Sequence, residues 1–159
     1  MKKIIALLLC FAMVFCFAAC GKKKTETISS DVKIDPISVK VTSAEGEKDS
    51  IVKVSVDVAE NPGFMATLMS ITYDKDNLKY VGYEKADILS DYEFSNKDGE
   101  LRFICAEEGD IKDNGTLFNL KFKITGDKDS EIKIASAEFV NYNEQDIPAN
   151  IENGKITVK

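Results

Sequence analysis

The chain of 159 residues contains no histidine and no tryptophan. Without His it lacks the usual general base and the commonest transition-metal ligand. Neither a Ser/His/Asp nor a Cys/His catalytic set can therefore be assembled. Without Trp, tyrosines are the candidates for an aromatic platform that stacks sugars. Cysteine is scarce as well. Cys10 and Cys16 lie in a leading apolar run and Cys20 stands at its end, so Cys105 alone is left for a folded domain. No intramolecular disulfide can form there. Cys105 sits between Ile104 and Ala106 in an apolar segment and reads as a small buried hydrophobe. There is no Gly-rich phosphate loop and no Asp-x-Asp-x-Asp-Gly calcium loop followed by Glu. An amphipathic helix of convincing length and an internal repeat are also missing.

What is present begins with a leader. Lys2-Lys3 form a short basic start, and Ile4 to Ala19 is an apolar run of one signal-sequence core. It ends Phe17-Ala18-Ala19-Cys20-Gly21, which resembles a bacterial lipobox, with Phe17 where Leu is usual. The resemblance implies cleavage before Cys20, lipidation of Cys20, and anchoring on the extracellular face of the cell membrane. An ordinary signal peptide cut near the same place is the plainer alternative. The run is short for a retained membrane crossing. The organisation expected is a signal peptide over residues 1–19, a lipidated Cys20 and flexible tether over 20–35, and one domain over 36–159. Removing the leader takes two lysines from 21 basic residues set against 27 acidic ones, leaving a charge of −8. A surface so acidic has no electrostatic footprint for nucleic acid.

From Pro36 on, each segment has period two or is a turn. Ile37, Val39 and Val41 alternate, and Ser43 to Ser50 reads as a polar loop. Val52, Val54, Val56 and Val58 alternate with Lys53, Ser55 and Asp57, a strand with one wet face. Asn61-Pro62-Gly63 is a turn. In the strand that follows, Met65, Met69, Ile71 and Tyr73 share one parity and are assigned to the core. Ala66, Leu68, Ser70 and Thr72 share the other and point outward. Leu78 to Glu84 is a further strand, and Ala86 to Leu89 an irregular segment with room for one helical turn. Asn96-Lys97-Asp98-Gly99 is a hairpin turn. Beyond it Leu101, Phe103 and Cys105 share one face, and Glu100, Arg102 and Ile104 the other. Asp113-Asn114-Gly115 turns into Phe118, Leu120, Phe122 and Ile124. Ile132, Ile134, Ala137 and Phe139 come next, and the last strand runs from Lys155 to Val158. About nine strands spaced near ten residues apart predict an all-β fold, an antiparallel jelly-roll β-sandwich. About 120 residues suffice for two packed sheets around one core.

An ordered set of pieces resembles the cohesin domain of bacterial cellulose-degrading assemblies. The set comprises Gly63 before a strand ending Tyr73-Asp74, Leu78 and Val81, Asp87-Ile88-Leu89, and Gly99 before a strand ending Ala106-Glu107. It continues with Asn114-Gly115 before Leu117-Phe118-Asn119-Leu120-Lys121-Phe122 and ends with Asn153-Gly154-Lys155-Ile156-Thr157-Val158. It spans about 120 residues. The resemblance implies a nine-stranded jelly roll that uses one sheet face to bind a dockerin, a small calcium-loaded helical module carried by enzymes. Cohesins present an Asn and an Asp on the matching strand where Ala66 and Leu68 stand here, whereas Glu107 matches an acidic contact of the family.

The remaining candidates are carboxylates and tyrosines. Asp74/Asp76, Glu107/Glu108 and Asp127/Asp129 are neighbours in turns, and a hydrolase needs its two carboxylates at a set separation across a cleft. They read as solvated turn acids, so no catalysis, cofactor or metal is expected. Tyr80, Tyr83, Tyr92 and Tyr142 are the candidates for a sugar platform. Leu68 and Ile104, near Ala66, put apolar side chains on a face that should be polar. Such residues mark a binding surface, or lie under a loop or the tether, or stand isolated. The function expected is a non-catalytic, lipid-anchored, cohesin-like module holding a dockerin-type protein partner through Ala66, Leu68, Ser70, Arg102, Ile104 and Glu107. The alternative is a surface lipoprotein that captures polysaccharide.

Overall fold

A computed structural model describes residues 33–159. The expected leader, Cys20 and nearly all of the tether lie outside these residues. Twelve strands follow one another: β1 (Ile37–Val41), β2 (Ala44–Gly46), β3 (Ile51–Ala59), β4 (Phe64–Tyr73), β5 (Leu78–Lys85), β6 (Tyr92–Lys97), β7 (Glu100–Ile111), β8 (Gly115–Ile124), β9 (Ser130–Val140), β10 (Asp146–Ile147), β11 (Ala149–Glu152) and β12 (Gly154–Val158). No helix occurs among the described residues. Ala86 to Leu89 forms a turn rather than a helical segment. The count exceeds nine because β2, β10 and β11 are too short to show a period. The first of them replaces the polar loop expected over Ser43 to Ser50.

The strands form two sheets. One has the order β11-β1-β3-β8-β5, and the other β2-β12-β9-β4-β7-β6 with β10 beside β9. Most neighbours are antiparallel. Two pairs are parallel, β1 with β11 and β2 with β12, so the sheets are mixed and not purely antiparallel. Parallel neighbours need a long connection. Here most of the domain separates the partners, since Ile37 faces Ala149 and Ala44 faces Ile156.

Alternation positions the core. Val52, Val54, Val56 and Val58 from β3 are buried, and so are Phe118, Leu120, Phe122 and Ile124 from β8. They meet Met69, Ile71, Leu101, Phe103 and Phe139 of the other sheet in one continuous cluster. Phe103 and Phe118 have ring centroids 4.5 Å apart, and Phe94 reaches Phe118 at 4.8 Å in an edge contact. Such pairs add about 0.5–1.5 kcal/mol each beyond the area they bury.

One core assignment changes. Phe64 is fully buried while Met65 is only half-buried. Ala66 faces Ala106, yet Phe64 faces Ile111, so β7 carries extra residues there. A bulge of this kind shifts the register of inward and outward side chains at the strand end. Thr67 also lies on the inner face, facing Cys105 and Phe139 in register. It is buried and its hydroxyl has no hydrogen-bond partner among the described residues.

Two turns fix the strands that matter below. Gly63 has φ 112°, and its amide donates to the Asn61 side-chain oxygen at 3.0 Å. The Asn61 amide group in turn donates to the Ile111 and Asp113 carbonyls. Asp98 and Gly99 both have positive φ, 53° and 85°, as a two-residue type I′ hairpin requires. This turn sets the register of β6 against β7.

A candidate protein-docking face on the β9-β4-β7-β6 sheet

Register brings most of the predicted site residues together. On the outer face, Ala66 stands opposite Ala106, Leu68 opposite Ile104, and Ser70 opposite Arg102. On the other side of β4, Ala66 faces Val140, Leu68 faces Glu138 and Ser70 faces Ser136. β6 completes the face by placing Glu93 beside Ile104 and Ser95 beside Arg102. Leu68 and Ile104 are 43% and 51% exposed, and no described segment covers them. Two adjacent aliphatic side chains thus stand on this face between an apolar rung of Val140, Ala66 and Ala106 and a polar rung of Ser136, Ser70, Arg102 and Ser95.

Below the aliphatic pair a carboxylate organises the polar groups. Glu100 Oε1 accepts from the Ser70 hydroxyl at 2.7 Å and from Arg102 Nε at 3.2 Å. These two donors hold the Glu100 carboxyl below its usual value, the Ser70 hydroxyl contributing most. The Arg102 side chain is fixed through Nε while remaining 69% exposed. Its terminal guanidinium nitrogens therefore face solvent. A depression of about 210 Å³ lies here, lined by Leu68, Met69, Ser70, Glu100, Arg102 and Ser136. Small Ser70 and Ser136 side chains leave room that Leu68 and Arg102 border.

Glu107 is placed elsewhere. It shares its parity with Phe103 and Cys105, not with Arg102 and Ile104, and is half-buried. Its Oε1 accepts from the Ser90 amide at 2.6 Å and from the Asp91 amide at 3.4 Å. Glu107 thus ties down the β5–β6 connection. Burial, with Glu107 and Asp91 nearby, pushes the Cys105 thiol up to about 12, which keeps it neutral.

The acidic turn pairs are also structural. Asp74 accepts from the Asn77 side-chain amide at 2.6 Å and from the Asp76 backbone amide at 2.9 Å. Asp129 pairs with Lys155 at 2.7 Å and accepts from the Val158 amide. The tyrosines do not form an exposed row. Tyr92 is buried, Tyr83 packs on Phe94 at 4.6 Å, and Tyr80 lies 5.9 Å from Phe122. Tyr142 alone of the four is well exposed, at 64%.

The five-stranded sheet presents a different surface. Glu84 reaches both Lys53 and Lys121, at 3.4 and 3.6 Å, and Asp49 pairs with Lys123 at 2.9 Å. Its exposed aliphatics, Ile51, Val81 and Ile151, do not pair with one another in the register.

The fold is a two-sheet β-sandwich with an exposed aliphatic pair on one sheet face. The chain belongs to the cohesin domain family, which matches residues 37–158. No curated protein matches the chain. Among solved structures, the OlpC cohesin in a type I cohesin–dockerin complex from Clostridium thermocellum is 21% identical. The match covers 79% of this chain and 94% of that one, with a TM-score of 0.74. A non-cellulosomal cohesin from the hyperthermophilic archaeon Archaeoglobus fulgidus is 16% identical over 78% of this chain and 91% of its own, with a TM-score of 0.72. CaCohA2 from Clostridium acetobutylicum is 23% identical over 80% and 94% respectively, also at 0.72.

Sequence reasoning missed the contributions of β9 and β6. Glu138 and Ser136 join the face because the register of β4 with β9 shifts between Ser70 and Ile71, a bulge that period two does not reveal. Glu93 belongs to the face through the Asp98-Gly99 hairpin, whose register that turn already implied.

Proposed function

We propose that this chain is a non-catalytic cohesin module that holds a dockerin-type protein on the outer face of β4 and β7. The observation that carries the reading is the exposed, directly opposed pair Leu68 and Ile104 on one sheet face of a cohesin fold. Protein interfaces bury such aliphatic side chains inside a polar rim. The lipobox-like Phe17-Ala18-Ala19-Cys20 sequence supports anchoring through a lipid on Cys20 at the extracellular face of the cell membrane. A partner borne by polysaccharide-degrading enzymes would then be held at the cell surface. Direct polysaccharide capture has less support, because Tyr92 lies in the core and Tyr80 and Tyr83 pack against it.

The test is a pull-down with the chain from Lys22 onward against the secreted proteins of its own source, with and without a calcium chelator. A dockerin depends on bound calcium for its fold. Capture of a dockerin-bearing protein that disappears with chelator is the expected result. Binding that is indifferent to chelator, or that is lost only with added soluble glycan, would overturn the reading.

A further inference from the structure

The rung that carries the aliphatic pair continues on both sides. Read across four strands it is Glu138 on β9, Leu68 on β4, Ile104 on β7 and Glu93 on β6. Both carboxylates are exposed. Neither has an ion-pair or hydrogen-bond partner among the described residues, although eight other ion pairs occur there. The nearest cation of the face, Arg102, lies one rung away and already pairs with Glu100. Strands lie about 4.8 Å apart, so the two carboxylates stand about 14 Å from each other with the aliphatic pair between them. That separation exceeds the screening length of about 8–10 Å at physiological salt, so each acts as an independent negative site.

Resting on the dockerin reading above, we propose that this rung selects its partner by charge: a helix that crosses the strands and presents one aliphatic side chain flanked by two cationic ones. The aliphatic residue covers Leu68 and Ile104, and the cations meet Glu138 and Glu93. On a helix, residues i, i+4 and i+7 share one face. Positions i and i+7 are about 10.5 Å apart along the axis, and long Lys or Arg side chains span the rest of the 14 Å. The partner segment therefore reads basic, aliphatic, basic at that spacing. An acidic or uncharged flank would leave Glu93 and Glu138 desolvated without a counter-charge, which costs binding.

The probe is a displayed library of calcium-loaded dockerin modules, sorted against the chain from Lys22 onward at 0.15 M and 0.5 M salt. The wild type is expected to enrich modules carrying the basic–aliphatic–basic spacing, with weaker capture at the higher salt. The double variant Glu93→Lys/Glu138→Lys should bind those modules at least tenfold more weakly. It should regain binding to modules whose two cations are changed to Glu. Both positions are exposed, so the thermal midpoint reports that the variant is folded. Modules enriched without that spacing, or bound equally by the wild type and the double variant, overturn the proposal while leaving the dockerin reading in place. Capture of no module by the wild type overturns both.

Discussion

Replacing Leu68 and Ile104 together with Asp should remove partner binding without unfolding the domain. The magnitude follows from their exposure, 43% and 51% in the free chain. Fully burying such a side chain is worth about 1.5–3 kcal/mol. Roughly half of that remains available to a partner at each position, so the pair offers about 1.5–3 kcal/mol by the same scale. A tenfold change in affinity corresponds to about 1.4 kcal/mol, so losing the pair costs about 10- to 100-fold. Two buried carboxylates facing an aliphatic partner side chain weaken it further. Calorimetric titration with the dockerin-bearing partner measures this directly. Ile51→Asp and Val81→Asp on the five-stranded sheet are the matched controls. They also add charge at exposed aliphatic positions, 62% and 41% exposed, and should leave affinity unchanged. The two controls should melt within about 0.5 kcal/mol of wild type. The double variant loses the half of each side chain already buried and gains two carboxylates between Glu138 and Glu93. It should therefore melt lower, and its affinity is measured well below its midpoint. Affinity within twofold of wild type for the Leu68→Asp/Ile104→Asp variant, with its fold intact, would refute the assignment of the face.

Three further outcomes test the fold beneath that face. Thr67→Val removes a buried hydroxyl that has no partner and keeps its shape, so it should stabilise the domain by about 1 kcal/mol, or about 3–5 °C in melting midpoint; a lower midpoint would mean that the hydroxyl is satisfied in solution. With its thiol pushed up to about 12 by burial, Cys105 should resist thiol-reactive dyes at pH 8 in the folded chain from Lys22 onward and react once denaturant is added; rapid labelling of the folded form would contradict the burial. The carboxyls of Asp49, Asp74, Glu100 and Asp129 are held low by Lys123, by the Asn77 amide, by Ser70 with Arg102, and by Lys155. Groups depressed in the folded state stabilise it above their unfolded values and lose that contribution as pH falls through the folded ones. The melting midpoint should thus be level from about pH 5 to 7 and drop below about pH 4, and a midpoint that rises on acidification would count against these contacts.

Where the chain keeps a strict two-residue period, the sequence was enough to read inside from outside. Val52 to Val58 and Phe118 to Ile124 are buried at every second residue because β3 and β8 lie in the middle of their sheet and pair along their lengths. The period fails at bulges. Phe64 takes the place expected for Met65 because β7 is longer than β4 between two points of contact. β2, β10 and β11 are held by neighbours far away in sequence, and their two to four residues carry no pattern of their own. The parallel pairs were hidden for a related reason. Alternation tells which face a side chain occupies but not the direction of the strand beside it.

The same limit explains what was legible in the docking face. Ala66, Leu68, Ser70, Arg102 and Ile104 could be named because β4 and β7 alternate cleanly between their bulge and the Asp98-Gly99 turn, and an aliphatic residue on a wet parity stands out. Glu107 was grouped with them by likeness to an acidic position of the family. Its parity and its bonds to the Ser90 and Asp91 amides turn it toward the β5–β6 connection instead. Glu93 and Glu138 carry no signal of their own in the sequence, since a solvated Glu on a wet strand face is ordinary. They acquire meaning only from register. The hairpin at Asp98-Gly99 and the shift at Ser70 place each of them on the rung of Leu68 and Ile104. Single residues on this face are ordinary for an acidic β-sandwich. Specificity, in the reading argued above, resides in which ordinary residues the strand register aligns.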